Sequence, residues 1–176
     1  MRKIILCLAV SLDGYIEGPG GEFDWCFTDQ DYGMTALFAR IDSLFMGRKT
    51  YELMQNMAEG GGTGLPEFKE YVFSTTLTEV KPGAVLIRSD LPSAIETIRR
   101  ENGKDIWLFG GAALIATFID LGMVDEFLLA VHPVLLGGGK PLFGKLKDRL
   151  WLELKEASTF DSGLVMLRYG MKKAGG

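Results

Sequence analysis

The order of apolar segments along the chain predicts an α/β fold, with a mostly parallel sheet, helices on both faces and antiparallel strands added at one edge. Three observations carry this. Short β-rich runs alternate with segments whose apolar residues recur at helical spacing. Two of the strand-to-helix junctions are marked by glycine, at Gly47 and at Gly110-Gly111. The last part of the chain carries two long apolar runs around Asp161-Ser162-Gly163, a hairpin signal. Parallel strands need crossover connections, usually helices, whereas a tight turn joins antiparallel ones, so alternation followed by a hairpin reads as a mixed sheet.

The elements follow in order. Ile4 to Leu12 is an apolar run of the kind buried on both faces of a sheet, ended by Asp13-Gly14, and a glycine-rich loop follows from Glu17 to Glu22. Met34, Leu37, Phe38 and Ile41 then predict a helix from about Gln30 to Arg40, with Asp29 or Asp31 as its cap. Ser43 to Met46 is a short strand closed by Gly47, and Lys49 to Met57 a second helix. Tyr71 to Ser74 and Ala84 to Ile87 read as strands. Leu91 to Arg100 is a helix opened by Asp90 and stopped by Asn102-Gly103. Asp105 to Phe109 is a strand, Ala112 to Leu121 a helix ended by Gly122, and Glu126 to His132 a strand. Leu150 to Phe160 and Leu164 to Met171 form the terminal hairpin.

At 176 residues and 47% hydrophobic content the chain suits a single domain with a substantial core. A formal net charge of -4 argues against broad attraction to nucleic acid or an anionic membrane. Two cysteines, Cys7 and Cys26, are too few for a disulfide framework, and no segment reaches the roughly 20 apolar residues of a membrane span. Met1-Arg2-Lys3 before Ile4 to Val10 imitates a secretory leader, but Asp13-Gly14 cuts the run short. These features predict a cytoplasmic protein with reduced thiols. Glu59 to Gly64 reads as a lid or connector loop.

A strand end followed by glycine and a helix start exposes unpaired amides at the positive end of a helix, which is a potential phosphate site. Met46-Gly47-Arg48-Lys49-Thr50 adds two cations that the helix dipole disfavours unless an anion sits there. Its spacing is no Walker motif, and Arg48 and Lys49 reaching into solvent is the plainer alternative. At Phe109-Gly110-Gly111-Ala112, glycines allow close approach of a ligand to backbone, or simply close helix packing. Ser74-Thr75 places hydroxyls at a strand end, suited to a phosphate, a ribose or an ordinary turn.

Taken in order, Ser11-Leu12-Asp13-Gly14-Tyr15-Ile16, Met46-Gly47-Arg48-Lys49-Thr50-Tyr51-Glu52, Ser74-Thr75, Phe109-Gly110-Gly111 and Leu136-Gly137-Gly138-Gly139-Lys140-Pro141-Leu142-Phe143 resemble the dihydrofolate reductase-like reductases. The likeness is to the reductase domain that follows the deaminase in riboflavin biosynthesis, and it runs from Lys3 to Tyr169. It implies a three-layer α/β/α fold on a mixed eight-stranded sheet, with NADPH laid across the strand ends. By this resemblance Gly47, Arg48, Lys49 and Thr50 hold phosphates, Gly110, Gly111 and Ala112 meet the pyrophosphate, and Ser74, Thr75 and Arg88 surround the 2′-phosphate. Ala9 and Ile16 line the nicotinamide pocket or belong to the core. The zinc signature of the deaminase half is absent, so no metal is expected.

Reduction of a carbon-nitrogen double bond needs a proton, which a partly buried carboxyl with a raised pKa supplies well. Asp31 is the candidate by its distance before Gly47, against the reading of a helix cap. Asp13 is a second candidate, for touching substrate, against a turn-forming role. Trp25 either caps the substrate pocket or packs on the core, and His132 reads as a structural histidine. Ala130 stands where dihydrofolate reductases carry the threonine that supports their acid, their Leu-Pro-Trp loop is missing between Glu17 and Trp25, and no arginine suits a folate tail. The expectation is therefore an NADPH-dependent reductase of a small heterocycle such as a ribosylamino-pyrimidine. The alternatives are a dihydrofolate reductase and an NADPH-binding protein without turnover. The apolar hairpin further predicts a homodimer or intramolecular cover.

Overall fold

The structure, a computed structural model, describes residues 1–60, 64–144 and 146–172. In chain order the elements are β1 (Ile4–Ser11), β2 (Tyr15–Glu17), α1 (Met34–Arg40), β3 (Ile41–Gly47), α2 (Arg48–Glu59), β4 (Lys69–Phe73), β5 (Val85–Ile87), α3 (Leu91–Arg100), β6 (Asp105–Gly110), α4 (Ala112–Asp120), β7 (Glu126–His132), β8 (Lys140–Pro141), β9 (Leu152–Thr159) and β10 (Val165–Met171). Eight strands form one sheet in the order β5-β4-β3-β6-β1-β7-β10-β9. Pairing is parallel from β5 to β7, and β10 runs antiparallel to both β7 and β9. This is the mixed sheet flanked by helices, with a terminal hairpin, that the residue pattern predicts, in the three layers and eight strands that the family resemblance implies.

Alternation along the strands explains the layers, because successive side chains leave a strand on opposite faces. Ile4, Leu6 and Val10 of β1 share one core with Ile95 and Ile98 of α3 and with Leu114, Ile115 and Phe118 of α4. Ile5 and Cys7 point the other way, into a core with Leu37 of α1, Tyr51 and Met54 of α2, and Trp107 of β6. With apolar residues required on both sides, β1 reads as a continuous hydrophobic run, and it is flanked by β6 and β7 at the middle of the sheet.

One expectation is corrected and one strand pair is added. The helix predicted from about Gln30 begins at Met34, because Tyr32 (φ 47°) and Gly33 (φ 82°) are left-handed and hold the chain out of the helical path. The glycine-rich loop after Glu17 is present as expected, with the Gly21 amide bonded to the Gly18 carbonyl at 2.9 Å, and just before it β2 pairs with β8 in a separate antiparallel ribbon. Strands of three and two residues are too short to show any periodicity. Of the Glu59 to Gly64 segment, Gly61, Gly62 and Thr63 lie outside the described residues.

Candidate functional site

The parallel strands deliver both glycine junctions to the same end of the sheet. β3 and β6 are neighbours, with Met46 opposite Gly110, so Gly47 and Gly111 leave the sheet side by side. A Cβ on Gly111 would lie 3.6 Å from both the Gly47 nitrogen and its Cα, and also 3.6 Å from Thr50 Oγ1. At φ 97° Gly111 also holds a backbone that L side chains rarely adopt. Below the junctions lies a cavity of about 540 Å³ lined by Gly47, Arg48, Lys49, Thr50, Ser74, Thr75, Arg88, Gly111, Ala112 and Ile16, with Thr76 and Leu91 alongside. Residues spread over much of the chain thus converge on one cleft.

Its electrostatics suit an anion. α2 and α4 both open onto the cleft without a side-chain cap, leaving their first-turn amides free to donate. α3, by contrast, is capped by the Asp90 carboxylate, which accepts from the Ser93 amide. Arg48 uses Nη1 on both carboxylate oxygens of Glu52, at 2.9 and 3.0 Å. Lys49 and Arg88 have no side-chain partner among the described residues. Ser74 is partly engaged, since its hydroxyl accepts from the amides of Thr76 (3.2 Å) and Leu77 (3.0 Å) in a tight turn. Two of the proposed contacts lie outside the lining: Gly110 is buried behind Thr50, and Ala9 is half-buried on β1 opposite Ala130.

The two carboxylates differ from expectation. Asp31 is exposed, and its oxygens accept from Thr35 Oγ1 (2.6 Å), the Thr35 amide (2.9 Å) and the Gly33 amide (3.1 Å). These bonds, that from the Thr35 hydroxyl foremost, hold its pKa below the ordinary aspartate value. Asp13 is held low in the same way, first by the Ser11 hydroxyl and then by the amides of Gly137 and Leu136. The expectation of a partly buried carboxyl with a raised pKa is therefore not met at Asp31, and at Asp13, expected to touch substrate or to form a turn, solvent and donated hydrogen bonds likewise favour the ionised form. Neither residue lines the cavity.

His132 explains how the segment before α1 is held. Its Nε2 accepts from the Phe27 amide at 3.1 Å and its Nδ1 faces the Ala130 carbonyl at 2.9 Å, which fixes the neutral tautomer with hydrogen on Nδ1. Burial holds its pKa below 6.5. Trp25 stands edge-on to this imidazole, with ring centroids 5.3 Å apart, rather than over the cavity. The thiols of Cys7 and Cys26 are pushed up to about 12 and about 11 by burial, which leaves neither a ready nucleophile.

Glu17 and Lys140, which form the cavity's second wall, were not among the expected site residues, although Lys140 lies in the glycine-rich segment that carries the family resemblance. Glu17 and Lys140 face each other across the β2–β8 ribbon with Nζ and Oε2 2.7 Å apart, and both line the cavity beside Ile16. The signal available was Gly139, where a Cβ would fall 2.0 Å from the Glu17 carbonyl oxygen, so only glycine lets the two backbones approach.

Comparison with known proteins agrees with this geometry. The model of the RibD C-terminal domain family matches residues 2–166. The uncharacterized protein YyaP of Bacillus subtilis (strain 168) is 44% identical over 177 residues, covering 96% of this chain and 94% of YyaP. A solved protein of Shewanella sp. PV-4, named for riboflavin biosynthesis, superposes with a TM-score of 0.84 at 30% identity, covering 98% of this chain and all of that one. The dihydrofolate reductase of Enterococcus faecalis, solved with NADP(H), shares the fold with a TM-score of 0.71 at 14% identity, over 97% of each chain. Matched by the family model over nearly its whole length, the chain belongs to the RibD C-terminal domain family, reductases built on the dihydrofolate reductase-like fold.

Proposed function

We propose that this chain is a cytoplasmic single-domain reductase that uses NADPH to reduce a small heterocycle, with the ribosylamino-pyrimidine of riboflavin synthesis as the leading substrate class. The observation that carries the reading is the pair of helix N-termini without side-chain caps facing one cavity beside Lys49 and Arg88, which have no side-chain partner among the described residues. Gly47, Arg48, Lys49 and Thr50 bind the phosphates from one side, and Gly110, Gly111 and Ala112 from the other. Ser74, Thr75 and Arg88 select the 2′-phosphate. Ile16 borders the nicotinamide end, and Ala9, on β1 outside the cavity lining, is assigned to the same end. When bound, NADPH supplies the hydride. Asp13 and Asp31 are held ionised by donated hydrogen bonds, so in this reading neither supplies the proton, and the substrate nitrogen takes it from water. Ionised Asp31 then serves as an acceptor for a substrate N–H, and Trp25 shapes the segment that carries it.

The test is calorimetric titration with both coenzymes, followed by a substrate screen that monitors loss of the reduced nicotinamide. NADPH should bind more tightly than NADH, and Arg88→Ala should remove most of that preference, a loss of about tenfold or more for charge-assisted contacts. Asp31→Asn should lower kcat/KM while leaving NADPH binding unchanged. Equal affinity for NADH, or no heat with either coenzyme, would overturn the proposal.

A further inference from the structure

The Asp13 carboxylate joins two segments that are far apart in sequence. Oδ1 accepts from Ser11 Oγ at 2.7 Å and from the Leu136 amide at 3.1 Å, and Oδ2 accepts from the Gly137 amide at 2.8 Å. The Ser11 hydroxyl oxygen in turn accepts from the Tyr15 amide at 2.9 Å, at the first residue of β2. One carboxylate and one hydroxyl thus fix both strands of the ribbon, β2 through Tyr15 and β8 through the backbone leading to Lys140. The Leu142 amide closes the frame on the Gly14 carbonyl at 2.9 Å. This ribbon carries Ile16, Glu17 and Lys140 to the cavity wall.

We infer that Asp13 is a positioning residue that sets the β2–β8 ribbon as the wall of the cavity's Ile16 end, and donates no proton. The inference rests on the reading of the cavity as the coenzyme site. An acceptor of three hydrogen bonds is committed to the ionised form, and each lone pair in use points along the chain rather than toward a ligand. Backbone pairing holds the ribbon only weakly, since it is separate from the eight-stranded sheet, its two strands share two paired positions and its register shifts between them; the Glu17–Lys140 pair ties the strands to each other and Leu142 anchors one end in the core, while the Asp13 carboxylate ties the end of β1 to the segment that leads into β8. A small ribbon of this kind is marginal alone, so its placement depends on side-chain ties.

The test compares Asp13→Ala and Asp13→Asn with the wild type in two independent ways. Hydrogen exchange should show the Leu136 and Gly137 amides losing protection by about tenfold or more in Asp13→Ala while the β1 amides stay protected, and Asp13→Asn should fall between because one amide oxygen still accepts. In turnover, Asp13→Ala should lower kcat/KM, Asp13→Asn should recover much of it, and the pH profile should keep its shape in both. Unchanged exchange in Asp13→Ala would overturn the inference, as would an Asn variant as inactive as the Ala variant with one limb of the pH profile lost, which is the signature of an acid. If the wild type binds no coenzyme, the functional reading falls, while the exchange result still decides whether Asp13 holds the ribbon.

Discussion

At the scale of single residues, the clearest consequence concerns His132. In the folded protein its Nε2 must stay unprotonated to accept from the Phe27 amide, and burial lowers its pKa below the ordinary 6.5. As pH falls, the unfolded chain takes up the proton first, so the stability this residue contributes is full above about 6.5 and is lost as pH drops through the folded-state value. The melting temperature should therefore fall between about pH 7 and about pH 5, and the fall should be smaller in His132→Phe. An equal fall in the variant would assign the acid sensitivity to another group. The same residue shows how far a lone histidine is legible. The chain makes a structural role the favoured one, but only the fold shows that it clamps the segment carrying Trp25 and Asp31. Trp25 was marked by residue type and Asp31 by its distance before Gly47, and the acid expected at Asp31 became an exposed carboxylate bonded to the first turn of α1 because Thr35 lies four positions on with two donors.

At the scale of elements, the strand-glycine-helix junction is the unit that matters. A Cβ at Gly47 would meet nothing nearer than 3.8 Å, and its φ of -82° suits any residue. Gly47→Ala should thus fold with an unchanged melting temperature yet bind NADPH about tenfold or more weakly, since the methyl enters space needed for close approach of phosphate to backbone. A variant with undiminished affinity would place the phosphates elsewhere. Both junctions were legible because each combines three local signals: an apolar strand, glycine and an amphipathic helix. The β2–β8 ribbon was not, since it is made by pairing across more than a hundred residues and has no local period.

At the scale of the whole molecule, the edge of the sheet predicts association. β9 is an edge strand, and Trp151 just before it and Leu154 within it are 67% and 53% exposed. Exposed apolar side chains along a free edge invite pairing with a second copy. Light scattering should find a homodimer at micromolar concentration, and Leu154→Lys should shift it toward monomer; a monomeric wild type would remove the claim. The sequence by itself determined the layered α/β architecture, the terminal hairpin and which glycines turn strands into helices, because these depend on periodicity and backbone freedom within a few residues. Only the tertiary structure decided which junctions share a cleft, which cations there have no side-chain partner among the described residues, and which carboxylates donated hydrogen bonds hold ionised. Those outcomes depend on side chains brought within a few ångströms by strand order, and on how much water and how many donors each then meets.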